Sequence, residues 1–166
     1  MPTYGDELIA LPADAAIRRF VDRAEVSELI DRYIIGFDTL TDEPRDDAWY
    51  RDLFTEDLVL TFPVIGAHKG LAGVTDFQRA AKLKWARTHH VTSNHLVYVH
   101  GDEATAQGRL LATHVHPGDE PRDHFTIGGR VHASAVRTPA GWRLSELTFE
   151  LVWYGGEVPA SPGSPD

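Results

Sequence analysis

The chain has 166 residues, 42% of them apolar, which suits one domain with one buried core and excludes a disordered chain. Its formal net charge is -9 and no block of Lys or Arg stands out, so nucleic acid and anionic membrane are poor partners. Cysteine is absent, which excludes disulfides, thiol chemistry and thiolate metal sites. No apolar run approaches the ~20 residues of a membrane span. The opening residues lack the basic and long apolar regions of a signal peptide, so a cytoplasmic location is expected.

Residues 1–20 read as an N-terminal arm, residues 21–155 as the folded domain and the Gly-, Pro- and Ser-rich residues 156–166 as a flexible tail. A first helix is expected over 22–40, with Asp22 and Glu25 spaced as an N-terminal cap and its reaching acid. Val26, Ile30, Tyr33 and Phe37 make one apolar stripe along it, with Asp38 beside the stripe near its end. A short helix over 46–54, a strand over 58–62, a turn over 66–70 and a third helix over 73–86 follow. The period then changes, and 88–100, 103–116, 123–138 and 142–154 read as four long strands joined by hairpin turns. Ala104, Ala106, Gly108, Leu110, Ala112 and His114 share one face of the second of these, a small-residue face with space for a ligand or a helix. Helices followed by long antiparallel strands indicate α+β. The expected form is a cone-shaped half-barrel, with the helices on the concave face of one curved sheet and a pocket at its open end.

Residues 87–116 hold six of the nine histidines. One reading is a metal site: His114-x-His116, with Glu120 past a turn, is close to the first metal motif of the cupins. The second cupin motif, with its Pro-x-Gly turn, is missing. The other reading is a dyad in which a carboxylate at the end of the first helix orients a histidine at the start of a strand, making it a general base. Core His–Asp pairs are often structural as well.

Three segments carry a family resemblance. "ELIDRYIIGFD", "GAHKGLAGVTDF" and "THHVTSN" followed by "GDEATAQG" resemble the SnoaL-like branch of the nuclear-transport-factor-2-like superfamily, over roughly residues 23–154. That branch includes scytalone dehydratase, polyketide cyclases and a hexachlorocyclohexane dehydrochlorinase.

The resemblance places the family's dyad on Asp38 and His90, its second histidine on His114, and its polar catalytic residue on Tyr33. Phe37 and Phe62 stand where scytalone dehydratase has carbonyl-clamping tyrosines. Its late-strand asparagine falls on Ala135 or Ser134. Leu151 or Val152, beside Glu150, replaces an arginine of other relatives. Asn94, Phe37, Phe62, Trp85 and Trp153 are the expected substrate-binding residues. His89 is expected opposite His90, and His95 and His100 on the outer face or the hairpin.

The implied activity is a cofactor-independent lyase, cyclase or isomerase acting on a hydrophobic, polycyclic metabolite such as a polyketide intermediate. His90 is the expected base and His114 or Tyr33 the proton donor. No metal or organic cofactor is expected. A homodimer is the family's common state. The alternatives are a non-catalytic small-molecule-binding module on the same fold and a cupin-like metal enzyme using His114, His116 and Glu120.

Overall fold

The computed structural model describes residues 12–39, 45–118 and 124–157 of the protein. Residues 1–11 of the expected arm, Glu120 and residues 158–166 of the expected tail lie outside the described residues. The elements in chain order are helix α1 (Ala13–Asp38), helix α2 (Asp47–Arg51), strands β1 (Phe54–Phe62) and β2 (Gly66–Lys69), and helix α3 (Val74–Lys82). Four long strands follow: β3 (Arg87–His100), β4 (Glu103–Val115), β5 (His124–Thr138) and β6 (Gly141–Gly155). They form one sheet in the order β2-β1-β6-β5-β4-β3. Strands β3 to β6 are an antiparallel meander, and β1 joins β6 in parallel. Helix α1 lies on the concave face against β3 and β6. This is the α+β half-barrel expected from the sequence. Among the described residues, no helix is long and apolar enough to cross a membrane.

Several local expectations change. Helix α1 starts at Ala13 rather than residue 22, so residues 13–20 are its first turns and not an arm. Pro12 presets φ at -54° ahead of an alanine-rich run, and Asp14 in the first turn favours the positive end of the helix dipole. Asp22 is therefore no cap. It is a buried mid-helix carboxylate that accepts from Trp142 Nε1 at 3.2 Å and from Arg137 at 2.7 Å. The Asp22–Glu25 spacing fits a capping box, but the partners come from the β5–β6 hairpin. Within the segment 66–70, Gly66–Lys69 form strand β2 rather than a turn, because the reversal falls one step earlier, at residues 63–65. Helix α3 ends at Lys82, and the residues after it carry Trp85 into β3.

Asp22 anchors the first half of α1 to the far hairpin. Asp22→Ala is expected to lower the unfolding free energy by about 2–3 kcal/mol, since it leaves the buried Trp142 indole without its acceptor and Arg137 with only the exposed Asp102. Exposed Asp14→Ala serves as control and is expected to stay within about 0.5 kcal/mol. Urea unfolding of the two variants reads the difference. Equal midpoints would contradict the anchoring role.

Strand β3 carries a bulge. Its register with β4 jumps between Ser93 and Leu96, and Asn94 takes φ 56°, a left-handed conformation that asparagine tolerates. The extra residue resets which side chains face α1. Thr88, His90 and Thr92 face it before the bulge; His95 and Val97 face it after. His95 is consequently not a surface group. Its Nδ1 lies 2.6 Å from Ser27 Oγ on α1, and its ring side chain is only 9% exposed.

The small-residue face of β4 serves that arrangement. A Cβ on Gly108 would sit 2.6 Å from the His95 ring and 3.1 Å from Val131. The room at Gly108 is filled by His95 and not kept for a ligand.

Candidate active site

The cavity opens at the other end of the sheet, under the last turns of α1. It is a largely apolar cleft open to solvent on one side. Tyr33 and Phe37 reach it from α1, Phe62 from β1, Trp85 from the segment before β3, His90 from β3, and Leu110 and His114 from β4. Phe125, Ile127 and Phe149 complete an apolar wall, and residues 63–65 form part of the rim. Ala104, Ala106, Gly108 and Ala112 do not line it.

Asp38 closes helix α1 and meets the start of β3. Its Oδ1 accepts from His90 Nδ1 at 2.6 Å, and its Oδ2 accepts from the His90 backbone N–H at 2.6 Å. Thr88 Oγ1, two residues earlier on the same strand face, donates to Oδ1 at 2.8 Å. Lys82 Nζ donates to Thr88 Oγ1 at 2.6 Å and to the Asp38 carbonyl at 3.2 Å. The His90 and Asp38 side chains are 10% and 17% exposed. Burial works to raise the Asp38 carboxyl. The hydrogen bonds and charge of His90, with the bond from Thr88, outweigh it and hold the carboxyl below its ordinary value. A carboxylate can only accept, so Nδ1 of His90 carries the proton and the Nε2 lone pair is left for the cavity.

His114 stands across from this pair. The two imidazole rings are 5.0 Å apart and perpendicular. His114 Nδ1 donates to the Phe125 carbonyl at 3.3 Å, and its ring leans on Trp85 at 4.8 Å. Burial first, and the charge of His90 second, push its pKa down to about 4. His114 is therefore neutral near pH 7, with its only proton turned to a carbonyl. Tyr33 is 2% exposed, donates its hydroxyl proton to Gln78 Oε1 at 3.0 Å, and burial raises its pKa well above the ordinary value. The protons of both residues, expected from the sequence as candidate donors, are directed at protein acceptors.

Phe37 packs edge-on against His90 at 5.4 Å, and Phe62 stacks on Phe149 at 5.0 Å. Both are cavity walls with no polar atom to offer. Two expected substrate contacts are elsewhere. Asn94 is exposed at the bulge, away from the cavity, because the bulge needs its left-handed backbone. Trp153 is 50% exposed and lies against Gly128, on the sheet face opposite the cavity-lining Ile127. The β6 register shift after Leu151 sets Trp153 against Gly128, and Tyr154, itself exposed, lies beside Phe125. Leu151, Val152 and Glu150 are exposed, and Glu150 pairs with Arg130. His116 lies at the rim beside Trp85, and its Nε2 donates to the Glu157 carbonyl at 2.7 Å. Among the described residues, no three His, Asp or Glu side chains are grouped to hold a metal ion, and Glu120 lies outside them.

A family profile for the SnoaL-like domain matches residues 18–148. The chain belongs to the SnoaL-like family. This SnoaL-like chain is similar to the solved Kfla4162 protein from Kribbella flavida at 29% identity, covering 82% of this chain and 95% of that one with a TM-score of 0.70. Hexachlorocyclohexane dehydrochlorinase LinA-type3 from Novosphingobium barchaimii LL02 shares the fold at 20% identity, 90% and 99% coverage and a TM-score of 0.71. So does a nuclear transport factor 2 (NTF2-like) superfamily protein from Salmonella enterica, at 18% identity, 89% and 99% coverage and a TM-score of 0.65. No curated protein sequence matches the chain.

Lys82, Thr88 and Gln78 were not expected at the site. Thr88 was within reach of the strand period, since it shares a face with His90. Gln78 and Lys82 come from α3 and bond across to α1 and β3, and no spacing in the sequence announces that.

Proposed function

We propose that the SnoaL-like chain is a cofactor-independent lyase or isomerase that takes a proton from carbon in a neutral, hydrophobic ring compound. The observation that carries this reading is the Nε2 edge of an Asp-oriented histidine beside an apolar cavity. A base in that position, kept from bulk water, removes a proton next to a carbonyl or an allylic system. A dehydrochlorinase among the chains of the same fold supports elimination as the reaction type. The apolar lining of the cavity suits a hydrophobic ring compound such as a polyketide intermediate.

With the protons of Tyr33 and His114 committed to protein acceptors, the chemistry runs on one base. His90 Nε2 takes the proton, Asp38 stabilises the imidazolium, and the same Nε2–H then gives the proton to the leaving hydroxyl or to another carbon on the same face. His114, neutral and with its Nε2 edge uncommitted, accepts a hydrogen bond from a ligand hydroxyl. A binding module without turnover is the second reading. It is favoured by the same absence of a ready proton donor among the described cavity residues, and it differs in predicting no product at all.

The pair His114→Ala and His116→Ala tests the assignment. Loss of a buried acceptor costs about 1–3 kcal/mol, so His114→Ala is expected to lower kcat/KM by about 10–100-fold. His116→Ala is expected to keep near-normal kinetics, because its ring is turned to the Glu157 carbonyl. Equal large losses would point to a shared His-x-His site and contradict the one-base reading.

A further inference from the structure

Helix α1 ends at Asp38 with no basic residue in its last turn, so its own sequence supplies nothing to the negative end of the helix dipole. The cation there is Lys82, from the last turn of α3. Its Nζ donates to the Asp38 carbonyl at 3.2 Å and to Thr88 Oγ1 at 2.6 Å, and lies 5.5 Å from the centre of the Phe37 ring. An ammonium has no lone pair, so the contact with Thr88 can form only with the hydroxyl oxygen as acceptor. The hydroxyl's own proton must then point elsewhere, and Asp38 Oδ1 is the acceptor at 2.8 Å. Lys82 thereby sets the direction of the Thr88 rotor. Thr88 in turn holds the carboxylate oxygen that receives the His90 Nδ1–H.

The charge acts in the same direction. A lone carboxylate beside an imidazole favours the imidazolium, which is useless as a base. A cation on the far side of the carboxylate opposes that. Among the described residues, the charged and titratable groups facing the pair are Asp38 on α1, Lys82 on α3, His90 on β3 and His114 on β4, and His114 is neutral near pH 7. Lys82 is thus the positive group that balances Asp38. It is itself half buried, and burial lowers its pKa while Asp38 works to raise it.

We propose that Lys82 is a positioning residue for the Asp38–His90 pair, fixing the carboxylate through Thr88 and keeping His90 available as a base by its charge. The proposal rests on the one-base reading for its purpose, but its test does not use turnover. In the ligand-free protein, the His90 ring resonances are followed by NMR as pH is varied. Lys82→Met is expected to move the midpoint of the His90 titration upward by about half a unit or more, since a cation a few ångströms away is lost. Thr88→Val is expected to move it the same way, because the carboxylate loses a donor and holds the imidazolium more tightly. Lys82→Arg and Thr88→Ser keep the charge and the hydroxyl and are expected to restore the wild-type midpoint. A merely structural lysine would alter stability and leave the midpoint in place. An unchanged midpoint in a folded Lys82→Met overturns the proposal, and so does a Lys82→Arg that shifts as far as Lys82→Met. Full turnover by His90→Ala would instead overturn the one-base reading and leave the titration result standing.

Discussion

His90→Ala is expected to lower kcat/KM by about 10²–10⁴-fold while the fold survives, the usual contribution of a positioned general base. The side chain is small, stands at the wall of a cavity, and its removal enlarges that cavity without breaking the sheet. Asp38→Asn is expected to come within about tenfold of the same loss, although the change keeps size and shape. The reason is geometric. Asp38 presents two acceptors to three donors: Oδ2 takes the fixed backbone N–H of His90, and Oδ1 takes His90 Nδ1–H and the Thr88 hydroxyl. The backbone N–H cannot turn away, so the amide oxygen of an asparagine must take the Oδ2 place. Its NH₂ then faces His90 Nδ1, which forces the proton to Nε2 and removes the lone pair from the cavity. A loss confined to His90→Ala would mean that the carboxylate is dispensable.

The second large effect is on stability. His114 has its pKa pushed down to about 4 by burial and by the charge of His90, against 6.5 for a free imidazole. Below pH 6.5 the unfolded chain binds a proton there that the folded protein refuses until about pH 4. Stability is therefore lost as pH falls through this window, by about 3 kcal/mol in all. The lowered Asp38 carboxyl adds a further loss at more acid pH, since its contribution is present above the ordinary carboxylate value and disappears as pH falls through the lowered one. Urea unfolding at several pH values measures both. In His114→Phe the limb between pH 6.5 and 4 is expected to flatten, whatever the variant's stability at pH 7. A variant that keeps the full slope would place the sensitive group elsewhere.

The fold was legible because period-2 alternation persists over long strands and an apolar stripe runs down α1. Val26 and Ile30 are fully buried and Tyr33 nearly so, and Ala104, Ala106 and Leu110 face inward as their spacing requires. The meeting of Asp38 with His90 was legible only through resemblance, since the two are far apart in sequence. What misled was local logic in places where distant partners decide. Asp22 reads as a cap until Arg137 and Trp142 come from the other end of the chain. Asn94 and His95 read as alternating strand residues until the bulge shifts them by one. The direction of a histidine's proton is not written in its neighbourhood at all. For His114 it depends on the carbonyl of Phe125 on the next strand.

Deuterium uptake tests the central claim most directly. The wild type and His90→Ala are each incubated in D₂O with a panel of neutral, hydroxylated or halogenated cyclic compounds, and mass spectra follow exchange at carbon and loss of water or halide. The one-base account predicts that the wild type exchanges or eliminates at least one compound by breaking a carbon–hydrogen bond, and that His90→Ala does so at least about a hundredfold more slowly. A compound processed at equal rates by both proteins would contradict it.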